Sequence, residues 1–248
     1  LATGLAVAGN YYAQPLLSTI ADDLGLSTGA ATRIVTTAQI SYGAGLFLLV
    51  PLADLWERKG LIVGFMLLAA AGLALSALAP SLFWLLVGTA VAGLCSVVAQ
   101  VLVPLAATLA APEVRGRAVG VVLSGLLLGI LLARVVAGGL SSLWGWRAVY
   151  VFAALSLVVC ALALAWTLPR YRQDAGLSYG RLLASVLELF VLEPVLRLRA
   201  LLGLLNYALF GLFWTPLAFL LSGPPYGYSD APKHTQPVSY THLRAHET

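Results

Sequence analysis

Apolar residues along this chain come in long runs, each closed by proline, glycine or a cluster of charge, and not in the narrow stripes of a water-facing helix. Reading those runs with their punctuation predicts seven helices, over residues 1–21, 31–52, 60–79, 82–108, 118–140, 146–168 and 199–222. A run of about 20 apolar residues carries a helix across the hydrocarbon core of a bilayer, so each is a candidate span. The connections are short until residues 169–198, a longer break before the seventh run. There the period changes: in LSYGRLLASVLELFVLEPVLRLR, Leu182, Val186, Leu189 and Phe190 are interleaved with Arg181, Ser185 and Glu188. That spacing suits an amphipathic helix on the membrane surface, and a linker role explains it more simply than regulation does. The expected organisation is a six-helix bundle over 1–168, a central loop over 169–198, a seventh span over 199–222, a loop over 223–237 and an unrelated segment over 238–248.

Composition agrees with this reading. Hydrophobic residues make up 60% of the 248 and charged residues 10%, against about 25% charged in a soluble domain, so there is too little polar material to face water on all sides. The predicted class is an all-α polytopic membrane protein. Basic residues also sort by loop: Arg58, Lys59, Arg115, Arg117, Arg170, Arg172, Arg181, Arg197 and Arg199 follow even-numbered spans, and the loops after the first, third and fifth spans hold only Arg33 and Arg147. Basic residues near span ends stay in the cytoplasm, which puts the amino end inside and accounts for the net charge of +4 with no nucleic-acid partner. Leu1 opens an apolar run with no charged region before it, so the chain is expected to start inside its first span, without a removable signal peptide. Cys95 and Cys160 fall in apolar runs and read as packing residues. No phosphate-cradling glycine loop, paired metal-ligand helix or intramembrane Ser, His and Asp set occurs, so neither an enzyme nor a bound cofactor or metal is expected.

Arg134 is the exception to the charge pattern. It lies inside the fifth run, ten residues before Trp144, or about 15 Å along a helix rising ~1.5 Å per residue. An arginine at that depth costs at least ~2.5 kcal/mol and normally faces a partner or a wet cavity; snorkelling to the interface is the plainer alternative. The chain's carboxylates, Asp22, Asp23, Asp54, Glu57, Glu113, Asp174, Glu188, Glu193, Asp230 and Glu247, all fall in loops, at helix ends or in the tail. Arg134 is therefore expected to meet an anionic substrate group or a carboxylate in helices outside this chain. Other polar residues fall on helical stripes: Asn10 and Gln14, Gln39 and Tyr42, and Ser96, Gln100 and Pro104. Hydrogen bonds between helices would explain each pair, whereas convergence with Arg134 would favour substrate contact. In the fifth run Gly125, Gly129, Ala133 and Ala137 recur every four residues, a stripe on which another helix can approach closely.

The loop after the second span, VPLADLWERKG at 50–60, places Asp54 at a helix carboxyl end with Arg58 four residues on. Spacing alone leaves open a weak surface pair or a cation that compensates an anion disfavoured by the helix dipole. This loop resembles the signature between the second and third helices of the major facilitator superfamily: Leu52, Ala53, Asp54, Arg58 and Lys59 match in register, with Val50, Leu55 and Glu57 in place of two glycines and an arginine. NYYAQPLL at 10–17, SGLLLGILLAR at 124–134 and WGWRAVYVF at 144–152 are similar to a bacterial efflux-type branch, and the resemblance covers about residues 1–230.

That resemblance implies a secondary active transporter of the bacterial inner membrane, working by alternating access and coupled to protons, with a small-molecule substrate and twelve spans. This chain would then hold the first half and one helix of the second, and alone would be inactive. It also implies a conformational charge relay at Asp54, Arg58 and Arg117, a central pathway lined from the first and fourth spans and edged by the second and fifth, and Asn206 and Tyr207 facing it from the seventh. The family's fourth-span arginine is Thr89 here, and the proline of its fifth-span antiporter pattern is Ile130. A membrane-embedded enzyme or a non-transporting scaffold is the alternative from another class.

The tail HTQPVSYTHLRAHET holds His234, His242 and His246 without a scaffold to fix a metal. Its last eleven residues, VSYTHLRAHET, resemble the conceptual translation of a sequencing adapter, so the natural sequence is expected to stop between Asp230 and Pro237.

Overall fold

A computed structural model describes residues 1–172 and 176–222, and every regular element among them is helical. The first span is made of two helices, α1 (Ala2–Ala8) and α2 (Ala13–Leu24). The second is α3 (Thr28–Leu48), continued by a 3-10 turn at Val50–Asp54, and the third is α4 (Arg58–Ala77). The fourth comprises α5 (Leu82–Cys95) and α6 (Val98–Leu109); α7 (Arg115–Trp144) and α8 (Trp146–Thr167) follow. Then come α9 (Tyr179–Leu192) and α10 (Pro194–Ser222). The histidines of the tail, the 223–237 loop and the adapter-like segment lie outside the described residues.

Two expected spans are broken, each for a local reason. Pro15 has no N–H to give the Tyr11 carbonyl and its ring clashes with that carbonyl, which kinks or breaks a helix, and here residues 9–12 leave the helix. Pro15 falls instead in the first turn of α2, where backbone N–H groups lack helical partners anyway. In the fourth span the Ser96 hydroxyl donates to the Ala92 carbonyl at 2.7 Å, a back-bond that bends helices, and Ser96 N–H turns to Gly93 instead. The other ends follow standard signals. Gly25 closes α2 in the left-handed region at φ 62°, and the Ser27 hydroxyl caps α3 by accepting from the Ala30 N–H at 3.3 Å.

Ile62, Met66 and Leu73 of α4, Leu85 of α5, and Val149 and Leu157 of α8 form the centre of the core, all nearly inaccessible. Five stretches, Gly29–Asp54, Arg58–Ala77, Leu82–Leu109, Pro112–Trp144 and Trp146–Thr167, are long and apolar enough to cross a membrane. In the most apolar window of Pro112–Trp144 only 6% of the residues are buried, and Val121, Leu127, Leu131 and Val135 stand exposed. Water would not tolerate so long an apolar face, whereas hydrocarbon solvates it and demands the helical backbone seen here. The protein is an all-α polytopic membrane protein.

Candidate functional site

Side chains from five helices meet around the break between α1 and α2. On α7 the half-buried Arg134 donates from Nη2 to Gln14 Oε1 at 3.0 Å. Gln14 stands in the first turn of α2, where the break dictated by Pro15 has put it. Tyr11, within the break, lies in electrostatic reach of Tyr207 of α10, Tyr42 and Arg134. The Tyr207 hydroxyl donates to Gln39 Oε1 of α3 at 3.1 Å. Gln100 of α6 donates to the Tyr42 hydroxyl of α3 at 3.3 Å. Gln100 and Tyr207 are exposed and the others half-buried. A fixed cation, three phenols and three amides thus share one open surface, and polar groups at membrane depth normally face a cavity or a partner.

Of the residues marked from sequence, Gln14, Gln39, Tyr42, Gln100, Arg134 and Tyr207 come together. Asn10 and Asn206 do not. Asn10 is 6% exposed and turns to another wall, shared with Thr89 and Tyr150, while Asn206 is exposed on α10. A continuous helix over 1–21 would put Asn10 and Gln14 one turn apart on one face. The break changes that register, and Tyr11, unmarked from sequence, takes the place beside Gln14. Pro15 was the available signal.

At the loop end that holds Asp54, Arg58 is only 6% exposed. Its Nη2 reaches Asp54 Oδ1 at 3.2 Å and its Nε donates to the Ala53 carbonyl at 3.1 Å. Its guanidinium lies 5.3 Å from the Tyr171 ring centre, and its N–H donates to the Tyr171 carbonyl at 2.9 Å. The i, i+4 pair is therefore built into the junction between the second loop and the start of the central segment. Arg117 stands exposed in the first turn of α7 and is not drawn into this cluster.

The opposite end carries a second cluster that sequence reading missed. Asp23 Oδ2 accepts from Trp146 Nε1 at 3.1 Å and from Arg147 Nη1. Arg147 also donates to the Ala79 carbonyl at 3.3 Å and stacks on Trp146, 4.2 Å from its ring centre. The ends of α2, α4 and α8 are stapled together. The Arg147 and Trp146 hydrogen bonds hold the Asp23 carboxyl below its usual range. Stability from such a group is present above the unfolded value of about 3.9 and is lost as pH falls through the lower folded value. Asp23→Asn is thus expected to lower the melting temperature at neutral pH, with the gap to wild type closing progressively below about pH 4. Paired melting curves at neutral and acid pH check this; a gap that does not depend on pH would contradict it.

The small-residue stripe of α7 packs against α1. A Cβ added to Gly129 would overlap Gly4, and one added to Gly4 would meet the Gly125 carbonyl and the Gly129 Cα. Ala133 and Ala137, further along the stripe, are buried at 2% and 0% exposure, and Thr3 Oγ1 donates to the Val122 carbonyl at 3.0 Å. Backbone-to-backbone approach of this kind is how helices associate where lipid removes the hydrophobic drive. Gly4 was not marked from sequence, although Gly4 and Ala8 are themselves four apart.

Comparisons with known proteins agree with this architecture. The sequence model described as Major Facilitator Superfamily matches residues 1–239. The chain is 55% identical over 230 residues to the "Uncharacterized transporter YgaY" of Escherichia coli O157:H7, covering 93% of this chain and 58% of that protein. It is 36% identical over 233 residues to the "Probable transporter SCO4007" of Streptomyces coelicolor, covering 93% and 54%. It is 33% identical over 202 residues to the "Chloramphenicol resistance protein" of Streptomyces lividans, covering 80% and 51%. The chain therefore spans a little over half the length of these curated relatives.

Proposed function

The chain belongs to the major facilitator superfamily, and on that premise we propose that it forms the first half, central loop and seventh span of a secondary active transporter that moves small molecules by alternating access. The observation that carries the proposal is the convergence of Gln14, Arg134, Tyr11, Tyr207, Gln39, Tyr42 and Gln100 from five helices. Transporter sites of this kind lie near the membrane midplane at the interface of two repeats, with a broken helix contributing. The break at residues 9–12 supplies that element. In this reading Arg134, oriented by Gln14, receives an acceptor group of the substrate, while Tyr42 and Gln100 offer neutral hydrogen bonds.

Tyr207 has a separate role. It belongs to the second half, bonds Gln39 of the first and sits beside Tyr11, so rocking of the halves must break or exchange that bond. The Asp54–Arg58 pair acts as a latch for one of the two states. Transport runs outward and is coupled to protons across a bacterial inner membrane, with the amino end in the cytoplasm; the efflux-type motifs and the resistance protein among the relatives support the outward direction.

Inverted vesicles containing the full-length transporter test it, with chloramphenicol as the first compound. Accumulation should require a pH gradient and collapse with a protonophore, and vesicles holding only the 248-residue chain should accumulate nothing. Accumulation by the short chain would refute the two-half reading, and accumulation without a gradient would refute proton coupling.

A further inference from the structure

Behind the break in the first span lies a small, partly open pocket that the polar pathway does not use. Its walls include Asn10 from the break, Ala38 of α3, Leu73 of α4, Thr89 and Ala92 of α5, and Tyr150 of α8. It offers about 10 Å³ of room for a water centre, close to what one water needs. Two of its wall residues carry hydroxyls, Tyr150 Oη and Thr89 Oγ1, that are buried and bonded to no described residue. Tyr150 is 2% exposed and Thr89 8%. Native interiors pair their buried polar atoms with protein or with ordered water, and an unpaired hydroxyl would forfeit its hydration with nothing in return.

We propose that this cavity binds a single structural water, which accepts from the Tyr150 hydroxyl and exchanges hydrogen bonds with Thr89 and with the Asn10 amide. Three partners from three separate elements match the usual coordination of a buried water. The rest of the wall is apolar, so these groups fix its position. The water ties the back of the break to the core of the bundle, while Tyr11 and Gln14 on the other side face the pathway. A bridge of this kind holds Asn10 to α5 and α8 without a direct bond that would lock the break rigidly.

The test uses the near-isosteric changes Tyr150→Phe and Thr89→Val, singly and together, in the chain purified in detergent. With a bridging water, each single change removes one of its partners and lowers the melting temperature by about 2–4 °C. The double variant then loses less than the sum, because both act through one water. Without it, deleting an unpaired buried hydroxyl leaves the melting temperature unchanged or raises it. That result for Tyr150→Phe overturns the proposal, as would a high-resolution experimental map with no density between Tyr150 and Asn10.

Discussion

Replacing Gly129 with leucine is expected to undock α1 from α7 and to cause a large fall in melting temperature. A Cβ at Gly129 would clash with the Gly4 Cα and lie 2.6 Å from its carbonyl carbon and oxygen. These are backbone atoms, so no side-chain rotation relieves the clash; the helices must separate. Overpacking usually costs 1–3 kcal/mol, and a backbone clash on both sides puts this change at the upper end, about 3 kcal/mol. The comparison that isolates the cause lies on the same helix. Nothing is within 4 Å of a Cβ at Gly120 or Gly139, so leucine there should be neutral or should stabilise by up to about 1 kcal/mol through helix propensity. If Gly129→Leu melts like Gly120→Leu, the close approach of the two helices is wrong. The effect reaches function as well, because α1 leads directly into the break that sets Tyr11 and Gln14 beside Arg134.

Arg134→Ala should leave folding largely intact and cut transport by the full-length protein roughly a hundredfold. The guanidinium is half-buried and points at Gln14, so its removal opens no large core cavity. Its loss from a substrate contact removes a charge-assisted hydrogen bond in a low-dielectric site, on the order of 3 kcal/mol or roughly a hundredfold in rate. Arg134→Lys keeps the charge but loses the planar fork, and should retain an intermediate rate. Gln14→Ala should fall between Lys and wild type, because it removes only the group that orients the arginine. Initial rates in vesicles at matched expression decide this; full transport by Arg134→Ala would remove Arg134 from the site.

The helices were legible in the sequence because a bilayer requires them. The runs at 60–79 and 146–168 coincide within a few residues with Arg58–Ala77 and Trp146–Thr167. The break at residues 9–12 was missed because hydropathy counts Pro15 and its neighbours by polarity, whereas the missing N–H acts through the carbonyl four residues back. The Asp54–Arg58 pair was visible, since i, i+4 neighbours meet through local geometry. Gln39 and Tyr207 are 168 positions apart, and no local spacing could pair them. The same holds for Asp23 with Trp146 and Arg147, and for Gly4 facing Gly125 and Gly129. Sequence identified which residues had chemistry; tertiary packing decided which of them share a surface. Arg134 illustrates both, being conspicuous as a lone charge in an apolar run while its contact with Gln14 depends on how α1 docks.

Substrate protection of introduced cysteines tests the central claim most directly. In a full-length transporter with Cys95 and Cys160 replaced, single cysteines at Gln14, Tyr42, Gln100 and Tyr207 would be labelled by a small thiol reagent with and without a transported compound, alongside a control cysteine at the exposed Glu113 in the loop before α7. Substrate should slow labelling at the four cluster positions and leave Glu113→Cys unchanged. Equal labelling rates with and without substrate at all four, in a protein that still transports, would contradict the assignment of this cluster as the substrate site.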